Sequence, residues 1–380
     1  MTKVIERVSL GSMSPGSERH LKVHRYGIKG ARPKAYLQAS LHADEIPGMM
    51  AGHHLMHLLD EAERKGEIKG EIILVPVANP IGLGQIVNTH HAGRYDMRGG
   101  GNFNRRWPDL FDGLTEALAG KLGPKGEDNV EIIRQAMGVR LGTMNAETEF
   151  SKLRIALSRL AYDADYVLDM HCDDDSLFHI FAIPQHWPDI SDLAAELESR
   201  AVLLSDDSGG ASFDETFSTP WVKLAAYFGQ KYPIPAACRS VTLEFRGQAD
   251  VSDEWGAKDA KALYRFLQRR NILAGDPGPM PKASCEATPL EACDIPRAPQ
   301  AGILSYHVKL GQQVKKGDVI AELIDPMADH PENARIPIKC ETSGLVLSRR
   351  SHKLVAPGDS ISKIVGKEKL EYRKGLLLED

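Results

Sequence analysis

Four side chains in this sequence form the set needed to hold a divalent metal and move a proton beside it: His42, Glu45, His171 and Glu244. A hydrolytic zinc site takes about three protein ligands from His, Asp or Glu and keeps one position for water. His42 and Glu45 lie in LQASLHADEIPGMM, just past a β-type run and just before Pro47-Gly48, a helix start. Both side chains would then project from a strand-to-helix loop, the sheet end where open α/β folds bind ligands. A bare H-x-x-E arises by chance in a chain with 14 histidines, so its weight comes from a third ligand placed the same way. DADYVLDMHCDDDS supplies one, His171 after the apolar run Tyr166–Met170, with Asp169 two residues earlier on the same face to orient it. His90 and His91 compete, but adjacent rings do not easily reach one ion; His53, His54 and His57 accompany the Met/Leu face of a helix.

Glu244 interrupts the strand-like run Val241-Thr-Leu-Glu-Phe245, where a carboxylate is costly unless paired or used. Beside a zinc ion it would be the general base that deprotonates water and then the acid that protonates the leaving nitrogen. The alternative is a salt bridge to Arg246. In RYDMRGGGNFNRRWPDLF, Asn104 and Arg105 follow a glycine-rich turn and suit a bidentate grip on a substrate carboxylate. A further arginine should steady the oxyanion of the tetrahedral intermediate; Arg98 is the first choice and Arg94 the second.

Such residues need a sheet to place them. From about 35 to 275, short β-branched runs alternate with longer amphipathic stretches, the pattern of an α/β domain with a largely buried sheet. Strands are expected at Ala35–Ala43, Glu71–Val77, Tyr166–Cys172, Leu177–Ile183 and Ser240–Phe245. Helices are expected at Pro47–Arg64, Glu147–Ala164 and Asp253–Arg270, the last capped by Ser252. The proline-rich stretch GDPGPMPKASCEATPLEACDIPRAPQAG then reads as a connection, giving a catalytic domain over 1–285 and a second module over 286–380. In that module Val314–Ile324 matches Val355–Val365 at a shift of 41 residues, which predicts two similar all-β halves with a turn at each Gly-Asp. Over roughly 295–366 it resembles the lipoyl and biotinyl carriers, a barrel-sandwich hybrid. Their modified lysine has no equivalent, because Lys339 lacks the tight-turn setting, and a structural or gating cap is the expected role.

The whole-chain balance narrows the partners. A formal net charge of −5 leaves no basic surplus to neutralise a nucleic-acid backbone. There is no signal-peptide pattern and no run of about 18 apolar residues, so neither secretion nor membrane insertion is expected. Five cysteines without a C-x-x-C pair argue against a disulfide scaffold or a cysteine zinc knot, and point to a reducing cytoplasm. Self-association into a homo-oligomer stays open.

In order, H-A-D-E at 42–45, N-F-N-R-R-W-P at 102–108, D-M-H at 169–171 and T-L-E-F at 242–245 resemble the succinylglutamate desuccinylase/aspartoacylase family, relatives of the zinc carboxypeptidases. The resemblance implies a carboxypeptidase-like α/β/α catalytic domain with a mixed sheet, followed by a C-terminal β module. It implies one zinc ion per chain at His42, Glu45 and His171, a carboxylate clamp at Asn104 and Arg105, and Glu244 as acid and base. Asn102-Phe103 stands where the family has Asp-Leu, and Gly99-Gly-Gly101 alters the spacing to the upstream arginine, which bears on the choice between Arg98 and Arg94. The expected activity is hydrolysis of a small N-acyl amino acid or N-acyl diamino acid. The alternatives are a metallocarboxypeptidase acting on peptides and a non-catalytic metal-containing binding protein.

Overall fold

The apolar runs of the sequence form the middle of a nine-stranded mixed sheet. The structure, a computed structural model, describes residues 3–378, so the outermost two residues of each expected domain lie outside the described residues. In chain order the strands are β1 (Val4–Gly11), β2 (Arg19–Gly27), β3 (Lys34–Ala39), β4 (Glu71–Val75), β5 (Tyr166–Asp173), β6 (His179–Ala182), β7 (Ala201–Leu204), β8 (Arg239–Gly247) and β9 (Ala287–Pro289). They lie in the order β1-β2-β4-β3-β5-β8-β6-β7-β9. The central block β4, β3, β5 and β8 is parallel, whereas β8 pairs β6 antiparallel. Residues of β3 and β4 are buried on both faces, as in sheets covered twice.

That cover comes from helices on each side. Alternate residues Tyr36, Ile73, Val75 and Val167 join the apolar cluster under α2 (Gly126–Thr143), α3 (Glu149–Ala161) and α5 (Phe213–Phe228). Their neighbours Leu37, Ile72, Leu74 and Leu168 join the cluster under α1 (Pro47–Lys65), α4 (Trp187–Glu196) and α6 (Asp253–Arg269). Period-two alternation in the strands thus produces three layers. Local signals set the helix ends: Pro47 opens α1 and Gly66, at φ 69°, closes it, while the Ser252 side chain accepts from Trp255 N–H at the start of α6.

The expected strand Ala35–Ala43 stops at Ala39, because Ser40 takes a left-handed φ of 64° and turns the chain out of the sheet. The run expected at Glu147–Ala164 is helical over Glu149–Ala161, trimmed by its Thr148–Ser151 capping box. The β1–β2 hairpin, α2, α4 and α5 were outside the expected elements. No helix among the described residues is long and apolar enough to cross a membrane.

The chain stays in the large sheet through Pro289, so the boundary expected at 285/286 falls just before β9. Eight further strands follow: β10 (Cys293–Asp294), β11 (Gly302–Tyr306), β12 (Gln313–Val314), β13 (Val319–Ile324), β14 (Arg335–Lys339), β15 (Gly344–Arg349), β16 (Leu354–Val355) and β17 (Ser362–Val365). They make two sheets whose residues Leu304, Ile320, Val346 and Ile364 share one core. The internal repeat is visible in its turns. Gly317 and Gly358 both have positive φ, 91° and 87°, and Asp318 and Asp359 each accept from the backbone N–H three residues earlier, at 2.8 and 2.9 Å. The short strand Asp175–Ser176, which follows β5, pairs β15 and joins this region to the large sheet.

Candidate metal and active site

The carboxyl ends of β3, β5 and β8 open into a cavity of about 510 Å³ lined by His42, Glu45, Arg94, Asn104, Arg105, His171 and Glu244. Close backbone approaches place these residues. Gly48, in the first turn of α1, lies so near β5 that a Cβ there would sit 2.9 Å from both Cβ and O of Met170, the neighbour of His171. Gly93 is pressed against the His42–Glu45 loop; its carbonyl accepts from Ala43 N–H at 3.1 Å, and a Cβ on it would stand 2.4 Å from Asp44 N. The first contact fixes His42 and Glu45 beside His171, and the second brings Arg94 over them.

One buried carboxylate bridges the two histidines. His42 Nδ1 lies 2.9 Å from Glu45 Oε1, and His171 Nδ1 lies 2.8 Å from Glu45 Oε2. Among the described residues these three are the group of His, Cys, Asp and Glu side chains close enough to share an ion. The far side of each ring is held. Asn102 Oδ1 accepts from Asn104 N–H at 2.8 Å and lies 2.8 Å from His42 Nε2, so that nitrogen carries the proton and Nδ1 presents its lone pair. His171 Nε2 donates to Asp169 Oδ2 at 2.9 Å, and the other Asp169 oxygen accepts from Gln38 at 2.9 Å. Ring nitrogens thus oriented, with a carboxylate between them, make a donor set that fits zinc. The Arg94 guanidinium lies 3.2 Å from both His42 Nδ1 and Glu45 Oε1 and adds positive charge beside the carboxylate.

The charge states follow from burial and these neighbours. Burial, helped by Arg94, pushes the His42 pKa down to about 4, so the ring is neutral near pH 7. Burial also opposes charge on His171, but Asp169 and Glu45 outweigh it and raise its pKa. Burial resists the Glu45 charge as well, yet His42 and His171 hold the carboxylate well below its usual range.

Glu244 pairs in register with His171 across β8 and β5, so the two side chains leave the sheet on one face. Directly after it β8 bulges, with Arg246 at φ 61°. The bulge sends Arg246 away from the site, to a buried ion pair with Asp259 and a stack on Trp255, 4.1 Å from the ring centroid. Glu244 therefore has no salt bridge to Arg246. Its Oε2 is buried without a hydrogen-bond partner. Burial first, and the Glu45 charge second, raise its pKa to about 8.

The two candidate arginines are separated by a hairpin in which Tyr95–Asp96 pairs Gly101–Asn102. Arg98 sits at its exposed tip and does not line the cavity; Arg94 enters the hairpin at its base and does. The first choice for the oxyanion arginine is therefore not at the site, because the three glycines fold the segment outward. Asn104 and Arg105 are buried in the cavity wall. The Asn104 carbonyl oxygen of the side chain accepts from Phe213 N–H at 2.8 Å, and Arg105 Nη1 donates to the Asn104 backbone carbonyl at 2.8 Å. His91 reaches the rim, whereas His53 and His57 are exposed on α1, away from the triad. Asn102, which orients His42, was missed as a functional residue; the sequence shows it only as a departure from the family motif.

Comparison with known proteins gives a consistent picture. Residues 31–133 match the model of the succinylglutamate desuccinylase/aspartoacylase catalytic domain, a span that includes His42, Glu45, Arg94 and Arg105. No curated protein matches by sequence. Solved structures match along the chain. Two are Shewanella proteins assigned to the succinylglutamate desuccinylase/aspartoacylase group. The Shewanella frigidimarina NCIMB 400 protein has a TM-score of 0.83 at 23% identity, covering 96% of this chain and 97% of its own. The Shewanella amazonensis SB2B protein has a TM-score of 0.83 at 24% identity, covering 97% and 100%. The product-bound ectoine utilization protein EutE (DoeB) of Ruegeria pomeroyi has a TM-score of 0.66 at 19% identity, covering 96% and 95%. At these identities the structural likeness is one of fold. Residues 31–133 thus resemble the succinylglutamate desuccinylase/aspartoacylase catalytic domain, within a chain whose fold matches solved structures assigned to that group from end to end.

Proposed function

We propose that this protein hydrolyses the amide bond of a small N-acyl amino acid or N-acyl diamino acid, with one zinc ion held by His42, Glu45 and His171. The observation that carries this reading is the convergence of two imidazole Nδ1 atoms on one buried carboxylate, in a cavity that also contains Glu244, Arg94 and Arg105. When bound, zinc supplies Lewis acidity, polarising the scissile carbonyl and making an attacking water more acidic. Glu244 takes the proton from that water and returns it to the leaving nitrogen. Arg94 takes the oxyanion role first given to Arg98, donating to the carbonyl oxygen as negative charge grows there. Arg105 holds the substrate carboxylate, and Asn104 positions it through the link to α5.

The strands after Pro289 act in this reading as a barrel-sandwich module, lipoyl/biotinyl-like in fold, that roofs the cavity and favours small substrates. Five free cysteines fit a reducing cytoplasm. The test is turnover of N-acetyl and N-succinyl amino acids, N-acetyl diamino acids, dipeptides and longer peptides, each with and without a chelator and after zinc is restored. Chelator-sensitive turnover of the N-acyl amino acids is expected. Faster cleavage of peptides would make the protein a carboxypeptidase, and bound metal without turnover would make it a binding protein.

A further inference from the structure

The cavity has a second lobe that the metal chemistry does not use. Away from the triad the lining includes an apolar patch, built from Phe181 and Leu203 of β6 and β7, Leu290 and Ile295 from the segment after β9, and Leu377 and Leu378 from the end of the described chain, alongside polar residues such as Ser205, Ser208, Ser348 and Ser362. Of the apolar residues all but Leu378 are buried and Leu378 is partly so. Three of the cations here are paired with carboxylates: Lys363 lies 2.6 Å from Asp173, Arg349 2.6 Å from Asp175 and Arg350 3.2 Å from Asp359.

The Leu377–Leu378 segment is seated rather than loosely laid there. Leu377 N–H donates to the Ser208 carbonyl at 2.8 Å, and Arg373 Nη2 donates to the Leu377 carbonyl at 2.7 Å. Two adjacent glycines let this segment approach the substrate clamp. A Cβ on Gly209 would stand 3.0 Å from Leu376 Cα, and a Cβ on Gly210 would stand 2.9 Å from Arg105 Cδ. The same loop takes up the backbone N–H groups of Arg106 and Trp107 at 3.0 and 2.9 Å. A thin Ser208–Ala211 loop therefore has the C-terminal segment on one side and Arg105 on the other.

We propose that Gly375–Leu378 forms a specificity wall of the catalytic cavity, closing an apolar lobe that receives an uncharged aliphatic or aromatic substituent of the substrate. This rests on the hydrolase reading for the word substrate, while the lobe itself is defined by the residues above. The substituent can belong to the acyl chain or to the amino-acid side chain; both present the same apolar surface.

The test is binding, measured by calorimetry on zinc-loaded Glu244→Gln protein so that ligands stay intact. One series lengthens the acyl chain of N-acylglycines from acetyl to hexanoyl; the other enlarges the side chain of N-acetyl amino acids from glycine through leucine to phenylalanine. In one of the two series each added methylene is expected to tighten binding about threefold to fourfold. The responding series identifies which part of the substrate enters the lobe. Ending the chain after Lys374 should flatten that dependence and weaken the largest ligand about tenfold, with N-acetylglycine changed less than twofold. Leu378→Ser, at a partly exposed position, should do the same to a smaller degree without the risk of unfolding. A flat dependence in the intact chain, no binding in either series, or an unchanged slope in both variants would overturn the proposal. Binding with the expected slope but no turnover by the zinc-loaded chain with Glu244 retained would instead reject the hydrolase reading and leave the lobe standing.

Discussion

The two walls of the cavity are built differently. On the sheet side, each ring nitrogen that faces Glu45 is oriented by a hydrogen bond on the far side of its ring, through Asn102 for His42 and Asp169 for His171, and the backbone is fixed by close contacts at Gly48 and Gly93. On the other side, the C-terminal strands meet the sheet through ion pairs at Asp173–Lys363 and Asp175–Arg349, a two-residue strand pairing and apolar contacts. With zinc bound as proposed, the first wall tolerates little displacement, because a misplaced ligand would lose the ion. The second can vary in shape without touching the chemistry, which is where selectivity can change.

The contrast can be broken most severely at Glu244. Glu244→Gln should lower kcat by a factor on the order of 10² to 10⁴ with zinc content unchanged, as measured by steady-state kinetics beside metal analysis. An accompanying loss of metal would move Glu244 from proton transfer to metal holding. Next is Asp169→Asn, which keeps the shape but weakens the grip on His171 Nε2; zinc affinity from competition with a chelator should fall about 10- to 100-fold. Unchanged affinity would mean that the sheet side does not hold its ligands as argued.

Gly48→Ala forces a methyl group against Met170, and unfolding by denaturant should show a loss of about 1–3 kcal/mol. The smallest effect belongs to the C-terminal side. Burial resists the Asp173 charge, but Lys363 and His179 lower its pKa from 3.8 to about 2. A folded-state pKa below the unfolded one stabilises fully above about pH 4, and the gain disappears as pH falls through 2. Lys363→Met should therefore cost about 1–2 kcal/mol at pH 7 after allowance for partial exposure, and much less near pH 2, by thermal or denaturant unfolding at both pH values.

The sheet side was also the more legible of the two in sequence. His42 and Glu45 are three residues apart between an apolar run and Pro47, and Glu244 interrupts a β run, so local context makes them candidates, with their weight coming from His171 placed the same way. The choice between Arg94 and Arg98 was not legible, because it depends on where a hairpin turns, and Gly99–Gly101 permits several geometries. The helix Phe213–Phe228 was hidden by its internal Pro220, although Ser212 and Glu215 carry the spacing of a capping box. The β1–β2 hairpin escaped because β1 lies at the sheet edge, where exposed apolar residues such as Val4 and Ile5 blur the alternation. The wall formed by Leu377 and Leu378 is invisible to local patterning, since it depends on a contact with Ser208 far away in the chain.

The direct test of the metal centre is elemental analysis of the purified protein after saturation with zinc and removal of the excess, alongside the His171→Ala variant. One equivalent per chain is expected in the parent protein and almost none in the variant. A full equivalent retained without His171, or none bound by the parent, would contradict the assignment of His42, Glu45 and His171 as the ligands.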